Sequence, residues 1–301
     1  MNEFQLIDAI VAELGSAAAG PYVRVGPGDD GSVVDVPAGM EVISSIDALV
    51  GDVHFPALAG PELIGYRAIM VSASDLAAMG AEDGFALVAL NLPHDDPAWV
   101  RALTAGMRRA VTELGMALVG GNIARGPLAI AVSVHGYAPR GQALLRSGAR
   151  PGDGIYVTGE LGAAAAALAR GGLAQCQREA DLDPLARRYF MPRARLPEGI
   201  ALRGRASSAI DLSDGLLQDL GHILDASGVG AELESARVPV APGATLTQAL
   251  SGGDDYELCF TLAGEPPPLA IPVRRIGTIV AERGLRVDGR AAAAAGYQHF
   301  A

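Results

Sequence analysis

Apolar residues recur at helical spacing from the beginning of the chain. Phe4, Ile7, Ile10, Val11 and Leu14 share one face and Gly15 supplies a stop, so residues 3–14 are predicted to form a helix. MEVISSIDALV at 40–50 has the β-branched density of a strand, and residues 61–79 return to helical character between Pro61 in the first turn and Gly80 as C-cap. GFALVALNL at 84–92 reads as a buried strand, and Asp95, Asp96 and Pro97 open a helix that runs to about Gly115. MALVGGN and PLAIAVSVHGY supply two further strands.

The stretch from Pro139 to Asp153 is rich in Gly, Arg and Pro and marks a domain boundary, giving an N-terminal domain over 1–140 and a C-terminal domain over 141–301. The second half opens on the strand GIYVTG, continues through an Ala-rich helix at 161–170 and has further helices near 182–203. SSAIDLSDG then reads as a strand ending in acids, followed by a helix at 215–226 and by strands in ELCFTL, IPVRRIGTIV and GLRVDG. Strands and helices alternate in both halves, so the expected fold class is α+β, a mixed α/β arrangement with a sheet and helices in each domain. No repeat of 20 to 50 residues is visible.

Composition narrows the chemistry. A formal charge of −11 opposes nucleic acid or an anionic membrane as partner, and a phosphate-handling protein of this charge needs metal ions as intermediaries. All 23 basic residues are arginines, so a P-loop lysine and Schiff-base chemistry are excluded. The two cysteines, Cys176 and Cys259, lack the spacing of a zinc site or redox pair and are expected as buried small hydrophobes. No apolar run is long enough to span a membrane, and MNEFQLIDAI begins in an amphipathic pattern without secretory-signal features, so a cytoplasmic location is expected.

Aspartates recur beside glycines and at apparent strand ends: Asp29 and Asp30, Asp47 and Asp52, Asp75, then Asp211 and Asp214. A carboxylate next to an apolar run must be paired, hydrogen-bonded or metal-bound, and converging acids favour a hard cation such as Mg2+. Singly, each also suits a turn or cap; Asp214 before a helix is a good N-cap. GGN at 120–122 is expected to follow a strand, where its glycines would let N–H groups approach a phosphate. His54 could reach a substrate phosphate or ring, and Arg146 could clamp a nucleotide phosphate; a structural histidine and a solvated arginine are the plainer readings.

Together, GPGDDGSVV, SSIDALVGDVHF, SDLAAMGA, VGGNIARGPL, RSGARPGDGIYVTG, SAIDLSDGLLQDLGHIL, SGGDDYELCFT and GYQHF, in this order over residues 26–300, resemble the thiamine-monophosphate kinases. The resemblance implies the two-domain fold of the aminoimidazole-ribonucleotide synthetase superfamily and transfer of the ATP γ-phosphate to thiamine monophosphate; direct in-line attack without a phosphoenzyme is the expected course, because phosphoryl transfer needs positioning and charge neutralisation more than covalent help. It also implies a homodimer formed through the N-terminal sheets, with nucleotide near the domain junction. It implies Mg2+ on Asp30, Ser45, the Ile46 backbone, Asp47, Asp75, Asn122, Asp211 and Asp214, with Asp30, Asp47, Asp75, Asp211 and Asp214 as the catalytic acids. Gly121, Asn122, Arg146 and Ser213 would hold ATP, and His54, Asp254 and Tyr297 would contact thiamine monophosphate.

Four positions depart from the family's pattern. Gly-Gly-Asp-Thr-Thr is Gly120, Gly121, Asn122, Ile123 and Ala124; Ser-Thr-Asp is Ser45, Ile46 and Asp47; the glutamate after Gly-Gly is Asp254; and a frequent lysine is Arg67. Weaker or differently tuned metal binding is the expected consequence, since Asn ligates Mg2+ less strongly than a carboxylate. Two other readings stay open: a superfamily relative with another acceptor, of the amidine-forming synthetase type, and a non-catalytic ATP-binding protein.

Overall fold

The structure is a computed structural model that describes residues 3–293 and 295–297. They form two compact units. The first comprises the chain up to Leu76, Ala81–Gly141 and Gly172–Asp183; the second comprises Ala77–Gly80, Gln142–Gly171 and the chain from Pro184.

The first unit runs α1 (Glu3–Leu14), β1 (Val23–Val25), β2 (Val33–Val34), β3 (Met40–Val50), α2 (Pro61–Ala78), β4 (Glu82–Leu92), α3 (Pro97–Leu114), β5 (Ala117–Arg125) and β6 (Ala129–Pro139). β3, β4, β5 and β6 form one four-stranded sheet in the order β3-β6-β4-β5. β4 and β5 are parallel and joined through α3; the other neighbours are antiparallel. α3 begins where its sequence says it should. The Asp96 carboxylate accepts from the Ala98 and Trp99 N–H groups, Pro97 occupies the first turn, and Gly115 closes the helix at φ 67°.

Strand alternation sorts this sheet into two faces. Ile43, Leu49, Val88, Leu90, Ile130, Val132 and Val134 are buried, whereas Val42, Ile46 and Val50 on β3 point the other way and are exposed. Against the buried face, α2 and α3 cross with their backbones in contact. A Cβ on Gly65 would lie 2.0 Å from the Leu103 carbonyl, and one on Gly106 would lie 2.0 Å from the Glu62 carbonyl. The Tyr66 hydroxyl, donating to Glu113 at 2.7 Å, fastens the same crossing. The excursion Gly172–Asp183 is held in this unit by the Gly60 N–H on the Cys176 carbonyl, the Gln177 amide on the Leu58 carbonyl and the Arg109–Glu179 ion pair.

The second unit contains β7 (Gly154–Thr158), α4 (Ala163–Arg170), α5 (Pro184–Phe190), α6 (Leu196–Leu202), β8 (Ser208–Asp211), α7 (Leu216–Ser227), β9 (Gly230–Leu233), α8 (Leu246–Ser251), β10 (Leu258–Leu262), β11 (Val273–Val280), β12 (Gly284–Val287) and β13 (Arg290–Ala292). Its seven strands are ordered β13-β12-β9-β11-β7-β10-β8. Only β12 and β9 pair in parallel. β7, β8 and β10 are buried along their whole length, which is why they read as continuous apolar runs. Ile155, Val157, Ile210, Leu216, Leu220, Ile223, Ile276 and Ile279 belong to one core joining α7 to the sheet. Both units therefore mix a sheet with helices, as the α+β expectation held.

The short elements β1, β2, β9, α8 and β13 were not expected. Gly120, Gly121 and Asn122, read both as part of the strand MALVGGN and as following a strand, lie inside β5 as the first reading had it, and Gly121 pairs there with Val88. Gly121 is required there, because a Cβ would sit 2.0 Å from the Val88 carbonyl.

Candidate active site

In the first unit, β3 and α2 bring Ser45, Asp47 and Asp75 together. Ser45 and Asp47 alternate onto the helix-covered face of β3, and the Ser45 hydroxyl donates to Asp75 Oδ2 at 2.5 Å. Burial, then the Asp75 charge, raise the Asp47 carboxyl above its usual range, against a hydrogen bond from Ser72. Two acids share this corner with the Ser45 and Ser72 hydroxyls.

The other first-unit candidates lie apart from that corner. Ile46 points to the opposite face and its side chain is 67% exposed. Asn122 falls in the row Ala48, Ala131, Ala89, Asn122, on the Ile46 face and not on the Asp47 face, whereas Gly121 shares the row of Asp47. Asp30 sits in the exposed loop between β1 and β2, its N–H donating to Asp29 Oδ1. His54 turns back on the end of β3, where its Nδ1 accepts the Val50 N–H at 2.9 Å. Just before it, Asp52 stands at φ 60° and accepts the Ala57 N–H, closing the turn.

The second unit gathers the remaining candidates around the loop from β8 to α7. Asp211 is the buried last residue of β8. The Ser213 carbonyl accepts the Asp254 N–H at 2.8 Å, and the Asp214 carbonyl accepts the Tyr297 N–H at 3.0 Å. Gln218, in the first turn of α7, donates to both Asp214 Oδ2 and the Tyr297 carbonyl. Asp254 and Tyr297 are thus stitched by backbone bonds to the Ser213–Asp214 loop, although Asp254 lies 40 positions beyond Asp214 and Tyr297 a further 43. The last residues of GYQHF, from Gln298 on, lie outside the described residues. Arg146 is exposed in the same unit, its carbonyl accepting from Ser227 and its charge acting on Asp219.

Asp254 stands at φ 61° and Tyr256 at φ 51°, a left-handed backbone that non-glycine residues rarely adopt and that concentrates at functional sites. The Tyr256 hydroxyl donates to Asp254 Oδ1 at 2.8 Å and fixes its carboxylate. Beyond the turn, Glu257 is 1% exposed and accepts from Arg195 at two nitrogens, from Arg188 and from the Thr158 hydroxyl. A buried carboxylate so fully satisfied anchors the turn to β7 and to the helices α5 and α6.

Two further acids escaped the sequence reading. Asp219 is 2% exposed; burial, then the Asp214 charge, push its carboxyl up to about 7. Asp255 accepts the Gly162 N–H at 2.7 Å through Oδ1, while its buried Oδ2 has no hydrogen-bond partner. Burial raises its carboxyl well above the usual range. The expectation that Asp214 caps α7 is also corrected. Gly215 is the N-cap, and the Asp219 carboxylate takes the Asp214 and Gly215 N–H groups. An acid five residues after Asp214, within the first turn of a helix opened by glycine, was the available signal.

Among the described residues no group of three or more His, Cys, Asp or Glu side chains is arranged to hold a metal ion. The donor chemistry nevertheless fits a hard cation. Asp47 and Asp75 are close enough to repel, and Ser45 adds a hydroxyl oxygen, an all-oxygen set that a divalent ion neutralises.

The chain matches two family models: AIR synthase related protein, N-terminal domain, over residues 28–138, and AIR synthase related protein, C-terminal domain, over residues 150–266. Thiamine-monophosphate kinase of Escherichia coli strain K12 is 44% identical over 249 residues, covering 80% of this chain and 77% of the relative. The crystal structure of thiamine-monophosphate kinase from Stenotrophomonas maltophilia K279a superposes with a TM-score of 0.86 at 38% identity, over 97% of this chain and 98% of that one. A structure described as AaThiL complexed with AMPPCP and TMP has a TM-score of 0.79 at 31% identity, over 99% and 97% of the two chains. With both domain models matched and relatives of this identity covering most of the chain, the chain belongs to the thiamine-monophosphate kinase family.

Proposed function

We propose that the protein transfers the γ-phosphoryl group of ATP to thiamine monophosphate, forming thiamine diphosphate and ADP. The observation that carries this reading is the stitching of Asp214, Asp254 and Tyr297 around the β8–α7 loop, in a chain whose relative was solved with AMPPCP and TMP. A terminal phosphate oxygen of the substrate attacks the γ-phosphorus, and the bond from that phosphorus to the β,γ-bridging oxygen breaks in line, so no phosphoenzyme forms. Phosphoryl transfer of this kind needs positioning and charge neutralisation more than covalent help.

Within this reading, Asp30, Ser45, the Ile46 backbone, Asp47, Asp75, Asn122, Asp211 and Asp214 are the candidates to hold Mg2+. The ion's contribution is to offset phosphate charge that a chain of −11 would otherwise repel. Gly121, Asn122, Arg146 and Ser213 hold nucleotide, and Arg146 brings the fixed positive charge. His54, Asp254 and Tyr297 hold thiamine monophosphate: Tyr297 is 46% exposed and offers an aromatic ring for stacking, and Asp254 is pre-aimed by Tyr256. The exposed apolar row of Val42, Ile46 and Val50 supports a homodimer formed through the first unit's sheet, and dependence on ATP supports a cytoplasmic location.

The test is product formation from ATP, Mg2+ and thiamine monophosphate by purified protein, followed by chromatography. Thiamine diphosphate appearing in step with ADP supports the kinase. ATP bound without turnover would favour the non-catalytic reading.

A further inference from the structure

Below the β8–α7 loop lies a carboxylate that the reaction itself does not use. Asp219 projects from the first turn of α7, is 2% exposed and lies beside the fully buried Cys259, whose thiol is pushed up by burial and by the Asp219 charge. Its Oδ2 accepts the N–H groups of Asp214 and Gly215, both at 3.1 Å. These are donors at the start of a helix whose N-cap, Gly215, has no side chain to satisfy them. Gly215 stands at φ 121°, and a Cβ there would meet the Ser251 backbone at 2.9 Å, so the loop is confined on its other side too.

The loop's outward groups are the ones that order the site. The Ser213 carbonyl holds Asp254, and the Asp214 carbonyl holds Tyr297. We propose that Asp219 is a positioning residue: by holding the Asp214 and Gly215 amides it sets the loop that presents the Asp214 carboxylate and, through the loop's carbonyls, fixes Asp254 and Tyr297. This rests on the reading of those three residues as metal and substrate contacts. The physical requirement is an acceptor oxygen at this place in the core. Both bonds use a single oxygen, so an amide of the same shape supplies it and an aliphatic side chain of the same shape leaves two buried N–H groups unpaired.

The experiment compares the full-length wild type with Asp219→Asn and Asp219→Leu, by amide hydrogen exchange and by kinetics. Wild type and Asp219→Asn should protect the Asp214 and Gly215 amides. Asp219→Leu should lose protection there and at the Asp254 and Tyr297 amides, with the β7, β10 and β11 amides unchanged. With thiamine monophosphate and Mg2+ varied, Asp219→Leu should lose about 100-fold in kcat/KM, the scale of a misplaced reacting group, whereas Asp219→Asn should stay within about threefold. Rapid exchange of the two amides in wild type overturns the proposal, even where Asp219→Leu fails to fold. So does equal loss in Asn and Leu, or wild-type kinetics in Leu. Wild type that lacks turnover but shows the expected exchange pattern instead refutes the kinase reading and leaves the loop's anchoring standing.

Discussion

At the residue scale, the proposed cation is assigned to Asp47 of β3 and Asp75 of α2. Asp47 is raised by burial and by Asp75, and the Ser45 hydroxyl is spent on Asp75. Removing one charge should weaken cation binding more than folding: Asp75→Asn is expected to lower kcat roughly 100-fold or more, with a higher Mg2+ requirement and an unchanged thermal midpoint, measured by steady-state assay beside a melt. Asp255 gives the pH prediction. Its folded carboxyl is raised, so the native state keeps a proton that the unfolded chain releases above about 3.8. Its contribution to stability is therefore full below that value and declines as pH rises through the raised folded value. Thermal midpoints from pH 4 upward should fall more steeply for wild type than for Asp255→Asn, whose amide keeps the Gly162 bond without an ionisable proton; parallel curves would refute a neutral Asp255. The acids beside apolar runs, Asp47, Asp75 and Asp211, were legible because a lone buried charge is too costly to be accidental. Asp219 and Asp255 were not, since each sits one or a few letters from a more conspicuous acid and its burial depends on strands far away in sequence.

At the scale of elements, the α2–α3 crossing brings two helix backbones into contact. Gly65 and Gly106 leave no space for a methyl group, with each Cβ position 2.0 Å from a carbonyl of the facing helix. Gly106→Ala, which improves helix propensity, should nonetheless destabilise the protein by about 1–3 kcal/mol by forcing the helices apart, as read from denaturant midpoints at constant slope. The long elements were legible because periodicity, caps and length agreed. β3 lies at 40–50 as its pattern required, and α3 has its Asp96 cap and Gly115 stop. What escaped was short or stabilised from afar: β9 and β13 span four and three residues, too few for a period to show. α8 spans six residues, but its Thr245–Gln248 capping box was a readable signal. GGN was legible as the end of the strand MALVGGN, but its glycines also suggested a phosphate-binding turn, whereas Gly121 permits close strand contact within β5.

For the whole molecule, the proposed reaction would bring two anionic substrates to a chain of −11 without lysine, and their neutralisation is proposed to come from arginine and Mg2+. Among the described residues no helix is long and apolar enough to cross a membrane. The proposed homodimer has its own test at this scale. Val42, 46% exposed on the open face of β3, is not among the proposed ligand contacts, and Val42→Asp should shift the protein from dimer to monomer in sedimentation equilibrium. An unchanged dimer would move the interface elsewhere. The central claim, that this chain phosphorylates thiamine monophosphate with acids from the β8–α7 loop, is tested most directly by measuring thiamine diphosphate and ADP together for wild type and Asp214→Asn. Equal amounts of the two products from wild type, with formation lowered roughly 100-fold or more in Asp214→Asn, is the predicted result. ADP without thiamine diphosphate, or an Asp214→Asn protein as active as wild type, would contradict it.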